Sequence, residues 1–384
     1  MIGEGRVEIT QAERELLADT ARAWARKHVP VSAYREVRDR NGRTGYDPEL
    51  YAQMAEMGWP GMIAPAEHGG SELGFECLGL VVEQLGRTLA ATPLVASAVA
   101  AISAIALGGN ASQQAEWLPG LIEGTAVGTL ATEEGRRHDL RAISMAATRR
   151  TGAWLLNGRK HLVEAGRTAD LLVIAARTSG TSGDADGLSL FICDSATPGL
   201  FAEDVNELDV RGRVTVLFDN VELPQCQVLG QPGRGIEVLD QVLDRVRAVT
   251  AAEMLGGAQQ AFETTVDYLK VRKQFGQLIG SFQALQHRAA DLLADIELAR
   301  VAVHNALRAL DEANPRAPLL ISMAKARTGT VFAKAAREMI QLHGGIGMTD
   351  EHDAGFYLKR SHALDAHGGN VAFHRERVAQ WLGI

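Results

Sequence analysis

The chain has 384 residues, more than one hydrophobic core ordinarily organises, so two or three packed domains are expected. It is 46% hydrophobic and 22% charged, the balance of a folded globular protein rather than a disordered one. Its 47 acidic against 39 basic residues leave a formal charge of −8, which argues against the basic surface that a dominant nucleic-acid role needs.

The opening run Met1-Ile2-Gly3-Glu4-Gly5-Arg6 lacks an apolar segment, so no secretory signal is expected there. Thr10 is placed to cap a first helix whose apolar positions include Leu16, Leu17, Ala21 and Trp24. Tyr46-Asp47-Pro48 restarts the chain into a second helix ending near Gly58, and Gly61 to Gly74 reads as a loop. Helices are predicted over about 75–88, 92–107 and 111–123. Leu89 to Gly108 carries no charge, but its small residues, Pro93 and missing aromatic belt point to a buried helix, not a membrane span.

From about Gly128 the pattern turns to strands. Trp154 to Asn157 reads as a strand entering a turn at Gly158; Leu171–Ala176, Leu188–Cys193 and Val214–Asp219 are further strands, with Gly180–Gly187 a hairpin tip. Past Leu229 the chain is helical again: a very long helix from Gly235 to Arg272, another from Ser281 (as cap) to Leu310, and a third from Pro315 and Pro318 to Gly344-Gly345. The expected fold is α+β and multidomain. A helical domain over 1–125 precedes a β-barrel-like domain over 126–229 and a C-terminal four-helix bundle over 230–384. Cys77, Cys193 and Cys226 are too widely spaced for a metal pair or a disulfide framework, and no metal site is expected.

No nucleophile elbow, Walker loop, Gly-x-Gly-x-x-Gly or His-Glu-x-x-His motif occurs. Two segments stand out instead. Arg272-Lys273-Gln274-Phe275-Gly276, followed by Ser281-Phe282-Gln283-Ala284-Leu285-Gln286, joins two helices. It is either a plain interhelical turn with a solvated arginine or an anion grip at a helix start. Gln341-Leu342-His343-Gly344-Gly345-Ile346-Gly347 ends a long helix with more glycine than a C-cap needs, so it is either a loose loop or a place of close backbone approach. His343 alone reads as a capping or core histidine; Met254, Met323 and Met339 read as core; Glu263, Asp267 and Lys270 read as a solvated ion-pair face.

Together these segments resemble the acyl-CoA dehydrogenase family. Arg272-Lys273-x-Phe275-Gly276 with Phe282-Gln283-x-x-Gln286 is similar to that family's flavin-binding signature, and Gln341-x-x-Gly344-Gly345-x-Gly347 to its adenine-contacting loop. Met57-Gly58-Trp59 through Ala66-Glu67-His68-Gly69-Gly70-Ser71, Asn157-Gly158-x-Lys160 and Phe218-Asp219-Asn220-Val221-x-Leu223-Pro224 match further landmarks in the same order. The resemblance implies FAD, an acyl-CoA substrate, a homo- or hetero-tetramer and electron-transfer flavoprotein as acceptor. Arg272, Phe275, Gln283, Gln341, Gly344 and Gly345 would reach a neighbouring subunit's FAD. In the family a glutamate removes the α-proton of the thioester while hydride leaves the β-carbon. The arginine-rich, lysine-poor composition fits a bacterial, cytoplasmic member.

The sequence departs from the family where the base should be. The two positions that carry the glutamate fall on Gly368 and Val246; the nearest substitutes are Asp365, His367 and Asp244. Thr132-Glu133-Glu134-Gly135 keeps the start of a flavin-facing motif, with Thr132 a cofactor contact. Arg136-Arg137-His138-Asp139 replaces the remainder, and Leu162 and Glu164 replace a Trp-x-Thr. Besides an FAD-dependent dehydrogenase, these departures motivate three alternatives. They are an incomplete subunit of a mixed tetramer, a non-catalytic flavin- or acyl-CoA-binding protein, and a related flavin monooxygenase.

Overall fold

The computed structural model describes residues 9–40, 45–135, 137–184 and 186–384. The opening Met1–Arg6 run, Arg136 of the departed motif and one residue of the 180–187 tip therefore lie outside the described residues. The chain divides into two compact units. Among the described residues one comprises 36–74 and 91–246, and the other 9–35, 75–90 and 247–384.

In chain order, the helices before the sheet are α1 (Gln11–His28), α2 (Val31–Asp39), α3 (Pro48–Glu56), α4 (Phe75–Arg87), α5 (Ile102–Gly108) and α6 (Ala111–Ile122). α1 begins with the reciprocal cap that its sequence encodes. The Glu13 N–H donates to Thr10 Oγ1 at 3.3 Å, and the Thr10 N–H to Glu13 Oε2 at 2.8 Å. Burial along α1 falls on Ala21 and Ala25, while Leu16 points outward at 67% exposure. α2 carries no strong sequence signal and was not anticipated; α3 starts as expected, on Asp47 as cap with Pro48 in the first turn. The charge-free stretch is buried. A π-helical segment, Val95–Ala101, runs into α5, and Ser97 Oγ accepts the Gly128 N–H at 3.1 Å. Among the described residues no helix is long and apolar enough to cross a membrane.

The sheet contains β1 (Gly128–Ala131), β2 (Ala146–Arg149), β3 (Ala153–Val163), β4 (Leu171–Arg177), β5 (Leu188–Asp194), β6 (Leu200–Asp204), β7 (Val214–Pro224) and β8 (Val228–Leu229). Its order is β6-β7-β3-β2-β4-β5-β8, with β1 parallel to β4. β4 is buried along its whole length, as its unbroken apolar run requires. Trp154 meets Phe191 edge-on at 5.9 Å in the core. The turn expected at Gly158 is instead a bulge inside β3: the register with β7 shifts between Leu156 and Gly158, and Gly158 takes φ +146°.

α7 (Gly235–Val271) is the long helix expected. A two-residue ladder, β9 (Lys273–Gln274) with β10 (Gln277–Leu278), joins it to α8 (Gln283–Asp311); α9 (Ala317–His343), α10 (Ala354–Ala366) and α11 (Val371–Leu382) follow. Ser281 is not the cap of α8. Its hydroxyl donates to Leu278 O at 2.6 Å, and Phe282 occupies the cap position. Met254 and Met339 are core, but Met323 is 48% exposed. Glu263 is not merely solvated, since it pairs with Arg87. α4 and α7 cross at backbone contact: a Cβ on Gly256 would lie 1.8 Å from Glu83 O, and one on Gly86 2.2 Å from Glu253 O. Beside that crossing Arg360, 1% exposed, donates to Glu253 at 2.9 Å and to Leu89 O at 3.2 Å.

Candidate active and cofactor site

Arg272 follows the last turn of α7, and its N–H still donates to Tyr268 O at 2.9 Å. Its guanidinium is exposed and makes no hydrogen bond or ion pair among the described residues. The turn that follows is a two-residue hairpin in which Phe275 and Gly276 take φ +51° and +76°. That turn normally wants Asn-Gly; phenylalanine at a left-handed position costs about 1–2 kcal/mol. Phe275 is nevertheless 92% exposed, with its ring edge-on to Phe282 at 6.2 Å. An aromatic that is both strained and solvated is presented outward. Gln283 is exposed in the first turn of α8.

The second segment ends α9. Gln341, Gly344 and Gly345 are exposed. Gly344 takes φ +66° and ψ −139°, a conformation essentially reserved for glycine. A Cβ on Gly345 would meet no atom of this chain within 4 Å, so nothing in its own packing requires glycine there. His343 faces the other way. It is buried, its Nδ1 lies 2.6 Å from Met339 O, and its ring stacks on Tyr268 at 4.3 Å and 28°. The two segments that stand out in the sequence are thus brought together through these rings.

The base positions look different. Val246 is 2% exposed within α7. Gly368 lies in the turn between α10 and α11 at φ +66°, and its carbonyl accepts from Arg247 Nε at 2.8 Å. A Cβ on Gly368 would come 3.2 Å from Arg247 Cγ. Arg247 is 1% exposed, with its guanidinium carbon 5.4 Å from the Phe373 ring centre. From α9, Lys325 Nζ donates to Leu364 O at 2.8 Å, Asp365 O at 3.2 Å and Gly369 O at 3.3 Å. Burial pulls this ammonium down to about 7, against the attraction of Asp365. Asp365 is occupied as well, its Oδ1 accepting the Val371 N–H at 3.1 Å. His367 is half-buried in the same turn, and Asp244 is buried on α7. The turn is therefore clamped by two cations on successive carbonyls.

The sheet unit holds the remaining residues. Thr132 is buried just past β1, where its carbonyl accepts from Lys160 Nζ at 3.3 Å. Lys160 is fully buried and pairs with Glu134 at 2.5 Å; burial pulls it down to about 8 despite that partner. Glu134 lies below its ordinary range: burial pushes it up, but Lys160 and the Ser144 N–H and hydroxyl outweigh this. Leu162 has φ +53° and is 48% exposed. Glu164 is buried, with Arg211 at 2.7 Å and Arg213 at 3.7 Å. His138 meets Glu133 at 2.5 Å. Glu133, Glu134 and Glu164 thus each face a basic side chain of this chain, while Leu162 is half-exposed.

Sequence reasoning missed the Arg247 and Lys325 clamps and the Tyr268–His343 stack. One signal was available: with only 7 lysines against 32 arginines, Lys160 and Lys325 are conspicuous, and both are buried.

Comparison with known proteins follows this geometry. Residues 11–125, 128–221 and 233–383 match the N-terminal, middle and C-terminal domains of acyl-CoA dehydrogenase. Mitochondrial isovaleryl-CoA dehydrogenase of Pongo abelii is 30% identical over 374 residues, 94% of this chain and 87% of that protein. An acyl-CoA dehydrogenase of Bacillus subtilis is 28% identical over 382 residues, 98% of this chain and 99% of its own. Among solved structures, a variant of the Tcur3481–Tcur3483 steroid ACAD superposes with TM-score 0.85 at 29% identity, covering 97% of this chain and 98% of that one. The chain belongs to the acyl-CoA dehydrogenase family, flavoprotein oxidoreductases that dehydrogenate acyl-CoA thioesters.

Proposed function

We propose that this chain is the FAD-completing subunit of a mixed acyl-CoA dehydrogenase whose catalytic carboxylate comes from a second, homologous chain. The observation that carries this reading is the turn at Gly368. The residue where the family keeps its base has no side chain, and Arg247 lies against it. Val246, the other position, is a buried aliphatic.

The outward segments fit FAD. An unpaired arginine is suited to a pyrophosphate, an exposed aromatic to a flat ring system, and a glycine backbone with no side-chain cover to close approach of adenine. When bound, FAD supplies the acceptor for the hydride that leaves the substrate β-carbon. Arg272 would hold the pyrophosphate, Phe275 and Gln283 would line the cofactor beside it, and the Gln341–Gly345 backbone would support the adenine end. The α-proton of a thioester leaves only to a positioned base, which typically contributes about 10²–10⁴-fold. Asp365 is engaged by α11 and Lys325, so the base is assigned to the partner. The paired name of the Tcur3481–Tcur3483 steroid ACAD supports a two-chain assembly and a bulky acyl group as substrate. A tetramer, an electron-transfer flavoprotein as acceptor and a cytoplasmic role in bacterial lipid metabolism complete the reading. Flavin absorbance tests it. One FAD per two chains in a co-expressed complex is expected; one FAD per chain in a homomer of this protein would overturn it.

A further inference from the structure

We infer that Tyr268, His343 and His352 form a positioning stack that fixes the distance between the Arg272 guanidinium and the Gly344–Gly345 backbone, and so sets the affinity for FAD of the site that this chain completes. The inference rests on the reading above, in which those two groups hold the cofactor.

Three rings meet at His343. Tyr268 stacks on it at 4.3 Å and 28°, and His352 packs against it, tilted, at 4.3 Å and 47°. Each ring is fixed by its own chain segment. Tyr268 is on the last turn of α7, and its carbonyl accepts the Arg272 N–H at 2.9 Å. His343 is the last residue of α9, held through Nδ1 to Met339 O at 2.6 Å, and Gly344 is the next residue. His352 Nδ1 accepts the Ala354 N–H at 3.1 Å at the start of α10. The far end of this segment is anchored by Arg35, which donates to Asp350 O at 2.5 Å and to Asp353 at 2.8 Å. The His343 ring is therefore borne by the residue directly before Gly344, and one helical turn separates the Tyr268 ring from Arg272.

Two ligand-facing groups on different helices bind one rigid molecule well only if their spacing is preset; otherwise binding must order them. Aromatic pairs of this kind contribute about 0.5–1.5 kcal/mol, which corresponds to roughly two- to tenfold in affinity. A purely structural role for the stack would lower thermal stability without changing affinity in the folded protein.

The test is FAD titration of the deflavinated co-expressed complex of this chain with its homologue, followed by flavin fluorescence, with thermal melting of the flavin-free complex as the fold control. Wild type is compared with Arg272→Ala, His343→Ala, His343→Phe and the double variant Arg272→Ala/His343→Ala. His343→Ala should weaken FAD binding roughly two- to tenfold, and His343→Phe, which keeps a ring in the stack, should restore it. In the Arg272→Ala background the His343→Ala effect should shrink, because there is no guanidinium left to position. If Arg272→Ala loses flavin but His343→Ala binds as wild type, the stack proposal fails and the FAD reading stands. If both weaken binding and His343→Phe does not rescue, ring stacking is overturned as the cause. If neither changes binding, the FAD reading itself fails, and the stack proposal falls with it.

Discussion

The helix junction at Arg272 and the turn at Gly368 belong to the same compact unit, yet they solve opposite problems. At the junction polar and aromatic groups are left open: an exposed guanidinium, a strained phenylalanine in water and a glycine with no neighbour near its missing side chain. At the turn everything is closed: Arg247 and Lys325 saturate its carbonyls, and Asp365 caps α11. Open groups that cost stability persist where something outside the chain completes them; closed ones do no chemistry. The sheet unit repeats the closed pattern around Glu164 and Lys160.

Changes in closed regions should therefore cost stability, and changes in open regions should cost ligand. Arg211→Ala should have the largest effect, destabilising the chain by about 3–5 kcal/mol because Glu164 is left charged and buried. Chemical denaturation measures this, and an unchanged midpoint would mean that Arg213 alone suffices. Arg272→Ala should do the reverse. FAD affinity should fall about ten- to a hundredfold, the loss of roughly 1.5–3 kcal/mol of charged hydrogen bonding, with no change in the melting temperature of the flavin-free protein. Flavin retained at wild-type level on gel filtration would remove Arg272 from the cofactor site. Gly368→Glu should cost about 1–2 kcal/mol, since the position is left-handed and already crowded by Arg247. It should not start turnover, because a carboxylate beside a guanidinium is a weakened base.

A smaller effect concerns pH. With Lys325 down at about 7 in the folded chain and near its ordinary 10.5 when unfolded, the unfolded state holds the extra proton between those values. Stability then rises with pH across that window. Lys325→Met should flatten the rise in a series of denaturation curves; a slope equal to wild type would show that Lys325 stays charged when buried.

The sequence was most legible where one local rule decides the structure. Thr10 declared the start of α1, and the proline-free run from Gly235 to Arg272 declared α7, which ends one residue earlier at Val271. The bulge at Gly158 was unreadable because Asn-Gly signals a turn, whereas long pairing of β3 with β7 carries the strand through it. The same division runs through the site. Spacing alone left Arg272, Phe275 and the Gly344-Gly345 pair open between a plain turn and a binding segment; the family resemblance singled them out, and all four lie exposed. Arg247, Lys325 and the Tyr268–His343–His352 stack were missed, since each acts on groups far away in sequence.

The central claim is that this chain holds cofactor but lacks a base. Steady-state oxidation of a panel of acyl-CoAs, straight-chain and steroid-type, with an artificial electron acceptor addresses it most directly. The account predicts background rates for the chain purified alone and turnover once a homologous chain bearing the glutamate is co-expressed. Robust turnover by the unmodified chain alone would contradict it and send the search for a base to Asp365, His367 and Asp244.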